Sequence, residues 1–415
     1  MPPAHFLSAS PNNVRAQRYW SAPTDGWIRY RRDEEYAEHF LQNLRLALAD
    51  RMNVDSAGIL LSGGMDSGAL AAIAKEISPA SNIGLKAYTV TYEKLLGDRE
   101  GYFAQQTADS LNIPLEMIPM DDLARFSPRT NEDFVFPEPV DDPFALAIHE
   151  QFRAIAKHSR VVLYGEGIDN LMYFQLAPYL KQLARAGKWL ALAGAFSGYC
   201  WRQRSRWHRL WHRALRRFGR KGSEMKVPRW ISPDFARRVN LQERFACFAL
   251  PKVSPAHPVL PVAHASLELP QWPRLFELSD AGFTQELVEV RCPFLDLRIV
   301  DYLLALPPFP LFLRKKLERE AMRGKLPKDI LTRPKTPLGT APCVATLRRA
   351  GYKPLRSIDW SEDIDRYISR KHVFEESEFQ YSDYGNSCIR PICFNLWLQS
   401  SRRLRYNLSL EIRNA

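Results

Sequence analysis

The sequence predicts an α/β protein: a doubly wound parallel sheet followed by a mostly helical C-terminal part. Three observations carry this. Short apolar runs alternate with helix-period stretches from Ala57 to Gly165. A Ser-Gly-Gly turn sits directly between the first such run and the first such helix. Beyond about residue 171 the texture turns helical and basic. Strands alternating with helices of 10–15 residues are the signature of βαβ units, whose strands are covered on both faces and read as continuous apolar runs.

In order, AGILL (57–61) reads as a buried strand. Leu70, Ala71, Ile73, Ala74 and Ile77 follow at helical spacing. LKAYTVTY (85–92) is rich in β-formers, 99–111 is helix-like, and LEMIPM (115–120) reads as a third strand. A helical stretch over about 143–157 leads into VVLYG (161–165), a further apolar run. Proline-rich punctuation at 251–273 marks a connection, and 283–415 reads as helices broken by proline turns. This divides the chain into a lead-in (1–50), an α/β core (51–175), a basic helical insertion (176–275) and a helical C-terminal part (276–415).

Composition narrows the class. The 415 residues are 46% apolar and 25% charged, ordinary for a globular protein and too apolar for wholesale disorder. No apolar run approaches the roughly 20 residues of a membrane span, and MPPAHFLSASPNN lacks the apolar stretch of a secretory signal. The six cysteines are scattered without a CxxC pair, which suits a reducing cytoplasm and argues against a disulfide framework or a zinc site. The formal charge is +12, and 201–222 alone holds nine Lys/Arg and no acid. Trp207, Leu210, Trp211, Ala214 and Phe218 recur there at helical spacing, so the segment reads as an amphipathic helix with solvated arginines. Nucleic acid, an anionic membrane surface and an acidic peptide are the competing readings.

The chemistry concentrates in LLSGGMDSG (Leu60–Gly68). Ser62, Gly63 and Gly64 form a turn where small side chains let backbone N–H groups approach an anion, and the helix N-terminus behind adds partial positive charge. No GxxxxGK[ST] is present, so this is not a Walker A loop. Asp66 supplies an oxygen ligand for Mg²⁺ held by phosphate oxygens. The competing reading, a turn with Asp66 and Ser67 as helix caps, does not explain the strand, turn and helix falling in register.

SGGMDS matches SGGxDS, the pyrophosphate loop of the N-type ATP pyrophosphatases, which resemble a doubly wound fold and cleave ATP between its α and β phosphates. Three further segments resemble the synthetase domain of asparagine synthetases. VVLYGEGID (161–169) is similar to the strand ending in GEGxDE. EVRCPFLDLRIVDYLLALP (289–307) is similar to ExRxPFLD, and KKLEREAMRGKLPKDILTRPKTPLG (315–339) to the K-x-x-x-R-x-A…LP…R-x-K stretch. RYW (18–20) is similar to the linker entering that domain. The resemblance implies that Leu61, Val90, Tyr164 and Gly165 hold the adenosine of ATP. It implies that Ser62, Gly63, Gly64 and Ser67 cradle the pyrophosphate, and that Asp66 and Asp169 coordinate Mg²⁺. Glu166 becomes the general base or amine binder. Lys335 becomes the cation stabilising charge on the α-phosphate, a role worth about 10²–10³ in rate. Glu289 and Arg291 read as a structural ion pair.

Departures shape the expected reaction. Only 61 residues precede Ser62 and none is a cysteine, so the family's N-terminal glutaminase is not expected here. Nitrogen would come as ammonia, from a separate glutaminase subunit, or as a substrate amine. Asn170 stands where the family has Glu, and Met172–Phe174 replace its glycine-rich continuation. The expected activity is an AMP-forming amide ligase on a small-molecule or peptide carboxylate, with asparagine from aspartate as default product. Relatives such as lasso-peptide macrolactam and β-lactam synthetases supply the alternative. A tRNA-modifying pyrophosphatase or a non-catalytic partner are readings from other classes, and nucleic acid is not the favoured partner.

Overall fold

The computed structural model describes residues 4–121, 138–139, 145–203, 227–248, 257–269, 271–334, 342–350, 358–373 and 389–414. A two-stranded antiparallel ribbon, β1 (His5–Ser10) and β2 (Asn13–Arg18), precedes helix α1 (Asp33–Arg51). Five parallel strands follow: β3 (Ser56–Leu60), β4 (Gly84–Thr91), β5 (Leu115–Pro119), β6 (Val161–Leu163) and β7 (Glu289–Arg291). Their order is β5-β4-β3-β6-β7, with Ile59 paired to Ala87 and Leu163, and Val162 to Val290. The chain winds outward from β3 in one direction, then returns and winds outward from β6 in the other. The switch point therefore lies between β3 and β6, and ligands of such sheets bind beyond the strand C-termini there.

The expected doubly wound α/β fold is what the chain forms. The connecting helices α2 (Met65–Ser81), α3 (Glu100–Leu111) and α4 (Ala145–Ala156) fall on the predicted stretches. Leu70, Ile73 and Ala74 of α2 are fully buried with Phe40, Leu44 and Leu48 of α1 and Ile59 of β3. Tyr88, Val162, Phe152 and Ile155 form the core on the opposite face, between sheet and α4. A Cβ at Gly58 would stand 3.2 Å from Val162 Cγ2, so glycine in the central strand lets that second layer close.

β7 is the element the sequence hid. Three residues with one apolar side chain between Glu289 and Arg291 show no strand pattern, and their stretch had been expected to be helical. Glu289 and Arg291 do pair, at 2.9 and 3.0 Å, while Arg291 Nη1 also donates to the Arg51 carbonyl at 2.6 Å. The following PFLD segment is structural too. Asp296 caps helix α7 (Leu297–Leu304) and accepts from Arg51 and Arg298. Burial opposes its charge, but these bonds hold its carboxyl down at about 2. Residues 204–226, which take in most of the basic stretch 201–222 and its predicted amphipathic helix, lie outside the described residues. Among those described, no helix is long and apolar enough to cross a membrane.

Candidate active site

A cavity of about 750 Å³ opens at the C-terminal edge of the sheet, over the switch point. Leu61, Ser62, Gly64, Asp66, Ser67, Val90, Tyr164, Gly165, Glu166 and Asp169 all line it, so the structure brings these sequence-selected residues together. Leu61 is itself buried in the larger core, whereas Leu60 packs towards the smaller one, so both flank the cavity from opposite faces of β3. Lys335 lies outside the described residues, although Pro334 before it reaches the cavity wall.

The loop geometry depends on two glycines. Gly63 has φ +64°, and a Cβ there would fall 2.7–2.8 Å from Phe103 Cβ, the Ala104 nitrogen and the Glu100 carbonyl. Gly167 has φ +103°, and a Cβ would meet Leu295 Cδ2 at 2.4 Å. The Ser62 N–H donates to Ser67 Oγ at 3.1 Å, which folds the turn back over the first turn of α2. From outside, Arg333 stacks on Phe103, its guanidinium 4.0 Å from the ring centroid, and donates to the Gly63 carbonyl at 2.9 Å.

Asp66 leaves the first turn of α2 and Asp169 the turn after β6, so they face each other across the switch point. Lys315 joins them, with Nζ 2.5 Å from Asp66 and 2.6 Å from Asp169. It is delivered by an unusual backbone, because Arg314 and Lys315 both adopt left-handed φ, +53° and +54°. Two consecutive non-glycine residues there are costly and persist only where surrounding structure enforces them, a pattern that clusters at functional sites. Glu318, in the first turn of α8 (Lys316–Ala321), lies behind Lys315 at 3.9 Å and is fully buried.

Electrostatics follow from this crowding. Burial opposes the Lys315 charge, but Glu318, Asp66 and Asp169 outweigh it and hold the ammonium above its ordinary range. Burial, then the Asp66 charge, pushes the Glu318 carboxyl well up. As a carboxylate Glu318 has no donor for either oxygen. Protonated, it can donate to Asp66. On the other flank the Tyr164 hydroxyl bonds to Glu166, and burial, reinforced by the Glu166 charge, raises the phenol. The same two causes push the neighbouring Cys292 thiol up to about 12, so it stays protonated and is no nucleophile.

Sequence reasoning assigned no role to Lys315, Glu318, Arg319 or Arg333. The available signal was the K-x-x-x-R-x-A stretch itself, whose two basic positions are Lys315 and Arg319. Arg319 Nη2 donates to the Arg333 carbonyl at 3.0 Å and lines the cavity. Nor did the sequence reveal the apolar wall of Ile148, Phe152, Leu275, Leu278 and Val290. Chemically, a backbone N–H cradle with converging cations and a facing carboxylate pair suits a polyphosphate carrying a divalent cation.

Comparison with known proteins agrees with the fold and the motifs. The family model for asparagine synthase matches residues 39–358. The amidase chry2 of Gibberella zeae is 27% identical over 189 residues, 40% of this chain and 27% of that protein. Amidase chyE of Penicillium rubens gives 27% over 185 residues, with the same shares. The glutamine-hydrolysing asparagine synthetase 1 of Bacillus subtilis is 30% identical over 141 residues, 32% of this chain and 21% of that one. The matches thus span about a quarter of these relatives' own length. With a parallel sheet of this winding and a family match over most of its length, the chain belongs to the asparagine synthase family.

Proposed function

We propose that the chain is an ATP-dependent, AMP-forming ligase that joins a carboxylate to ammonia or an amine. One observation carries the proposal most: Asp66 and Asp169, from opposite sides of the switch point, converge on a single cation beside the N–H cradle of Ser62–Ser67. Mg²⁺ fits this donor set. Two carboxylates already bracket a positive charge. Among the described residues no group of three or more His, Cys, Asp or Glu is arranged to hold a metal alone. That agrees with an ion held by one or two carboxylates plus substrate phosphates. Asp66 and Asp169 would hold it, and it would supply charge neutralisation on phosphate oxygens.

The protein's own groups divide the remaining work. The N–H groups of the Ser62–Ser67 turn orient the β and γ phosphates, with Lys315 and Arg319 adding positive charge where the leaving pyrophosphate gains negative charge, and Lys335 adding it at the α-phosphate. A substrate carboxylate oxygen attacks the α-phosphorus, the bond to the β-phosphate oxygen breaks, and pyrophosphate leaves. The nitrogen nucleophile then attacks the acyl carbon, AMP departs, and Glu166, oriented by Tyr164, takes the amine proton. Shelter from water protects the acyl-adenylate meanwhile.

Aspartate with ammonia is the default substrate pair. A second reading, an amide or lactam built on a larger acid, gains from Asn170 beside Asp169 and from the apolar wall of Ile148, Phe152 and Leu275. Pyrophosphate release with Mg·ATP is to be compared for aspartate plus ammonium, aspartate alone and a panel of peptide acids. Dependence on aspartate and ammonium, with asparagine formed, supports the first reading. Release only with another acid supports the second, and silence with every acid counts against both.

A further inference from the structure

Helix α6 (Trp189–Gln203), which follows α5 (Leu176–Arg185), is apolar on both sides yet buried on only one. Leu192, Ala195 and Tyr199 turn towards α5 and the Pro308–Leu311 turn, and Gly198 lets Phe309 approach. The opposite side is open: Trp189 is 65% exposed, Leu190 92%, Phe196 53% and Trp201 73%. At 100° per residue these four fall within about 140° of one helix face. An all-apolar helix is normally buried, and a contiguous exposed apolar stripe marks an interaction surface.

Charge identifies the partner. Residues 170–223 contain twelve Lys/Arg and no Asp or Glu, and the rest of the chain then balances at 46 of each sign. The entire net charge of the protein therefore lies in the segment that carries α6. Lys181, Arg185, Lys188 and Arg202 are exposed on or beside the helix. Next to Trp201 a concavity of about 260 Å³ is lined by Arg202, Arg314 and Lys316, the last ion-paired with Asp33 at 2.7 Å, and the two arginines make it a setting for a phosphate group. Tryptophans at both ends of an apolar stripe, flanked by cations, match a helix lying in a bilayer interface among anionic headgroups. Among the described residues no helix is long and apolar enough to cross a membrane, so the arrangement to be tested is a helix lying on a bilayer surface.

We infer that the exposed face of α6, with the cationic concavity beside Trp201, docks the protein on an anionic lipid surface. Flotation of the full chain with vesicles tests this. The protein should float with vesicles of phosphatidylcholine and phosphatidylglycerol but not with phosphatidylcholine alone. Its tryptophan emission should shift to the blue, and about 1 M salt, where the screening length is about 3 Å, should release it. The double variant Leu190→Asp/Phe196→Asp should bind at least tenfold more weakly while keeping the wild-type melting profile, because both side chains already face solvent. Failure to float with anionic vesicles overturns the inference, as does equal binding by the double variant. A wild-type dimer that the variant dissolves, with vesicles ignored, would reassign the face to self-association. RNA binding that survives in the variant, again without vesicle binding, would reassign the charge to nucleic acid.

Discussion

Lys315→Met removes one charge from the centre of the site at nearly constant side-chain length. The wild-type ammonium makes charge-assisted contacts of 2.5 and 2.6 Å to Asp66 and Asp169. Bonds to charged groups contribute about 1.5–3 kcal/mol each when shielded, but the Asp169 side chain is 39% exposed, and solvent brings its share towards the 0–1 kcal/mol of surface pairs. Desolvation of the lysine, which the variant escapes, offsets a further part. The net loss should be about 1–3 kcal/mol, or roughly 2–6 °C in melting temperature at about 2 °C per kcal/mol. The two carboxylates are then left facing each other without a cation, so millimolar Mg²⁺ should restore much of the loss by binding only the folded form. Thermal melts of both proteins with and without Mg²⁺ make the comparison. A variant as stable as wild type, or one with the wild-type Mg²⁺ response, would refute the reasoning that Lys315 holds the place of a cation.

Other outcomes follow from the same geometry. Glu318→Gln should change stability near pH 5 by less than about 1 kcal/mol, because burial keeps the native carboxyl protonated. A raised native pKa means that wild-type stability is complete below the ordinary carboxylate range and declines as pH rises above it. A urea titration at pH 5 and 8 should therefore show the glutamine variant losing less between them. Asp296→Asn should cost about 2–4 kcal/mol at pH 7, since Arg51 and Arg298 lose a buried charged acceptor. Its native carboxyl sits at about 2, so the advantage of wild type is full above about pH 5. It should vanish as pH falls from the ordinary 3.8 through 2, a convergence visible in acid denaturation curves. Gly63→Ala places a methyl 2.8 Å from two backbone atoms and 2.7 Å from Phe103 Cβ, at positive φ. It should destabilise by about 2 kcal/mol or more and abolish nucleotide-dependent pyrophosphate release.

How much of this was legible in the sequence depends on how local each signal is. β3 and β6 are short, largely buried apolar runs, β4 is rich in β-formers, and α2 buries every residue from Ser67 to Ala74, so pattern alone located them. The SGGMDS turn was legible because glycine at positive φ and a serine folded back on its own turn are matters of a few adjacent residues. β7 was not, because a three-residue strand bonded to β6 takes its identity from a partner far away in sequence. Lys315 stayed hidden for the same reason. It lies 249 residues from Asp66, and it reaches the site through left-handed backbone at Arg314 and Lys315, residue types that carry no such signal. The PFLD aspartate stood in a recognised signature, yet only the structure reveals that it clamps Arg51 and Arg298.

The central claim is that the switch-point cavity splits ATP between its α and β phosphates by means of Asp66 and the cradle behind it. The direct measurement is phosphorus NMR of the products formed from Mg·ATP in the presence of an accepted carboxylate, for wild type and for Asp66→Asn. The account predicts AMP and pyrophosphate from wild type, and from the variant at least a hundredfold less of both with its fold intact. ADP and inorganic phosphate from wild type, or undiminished AMP from Asp66→Asn, would contradict it.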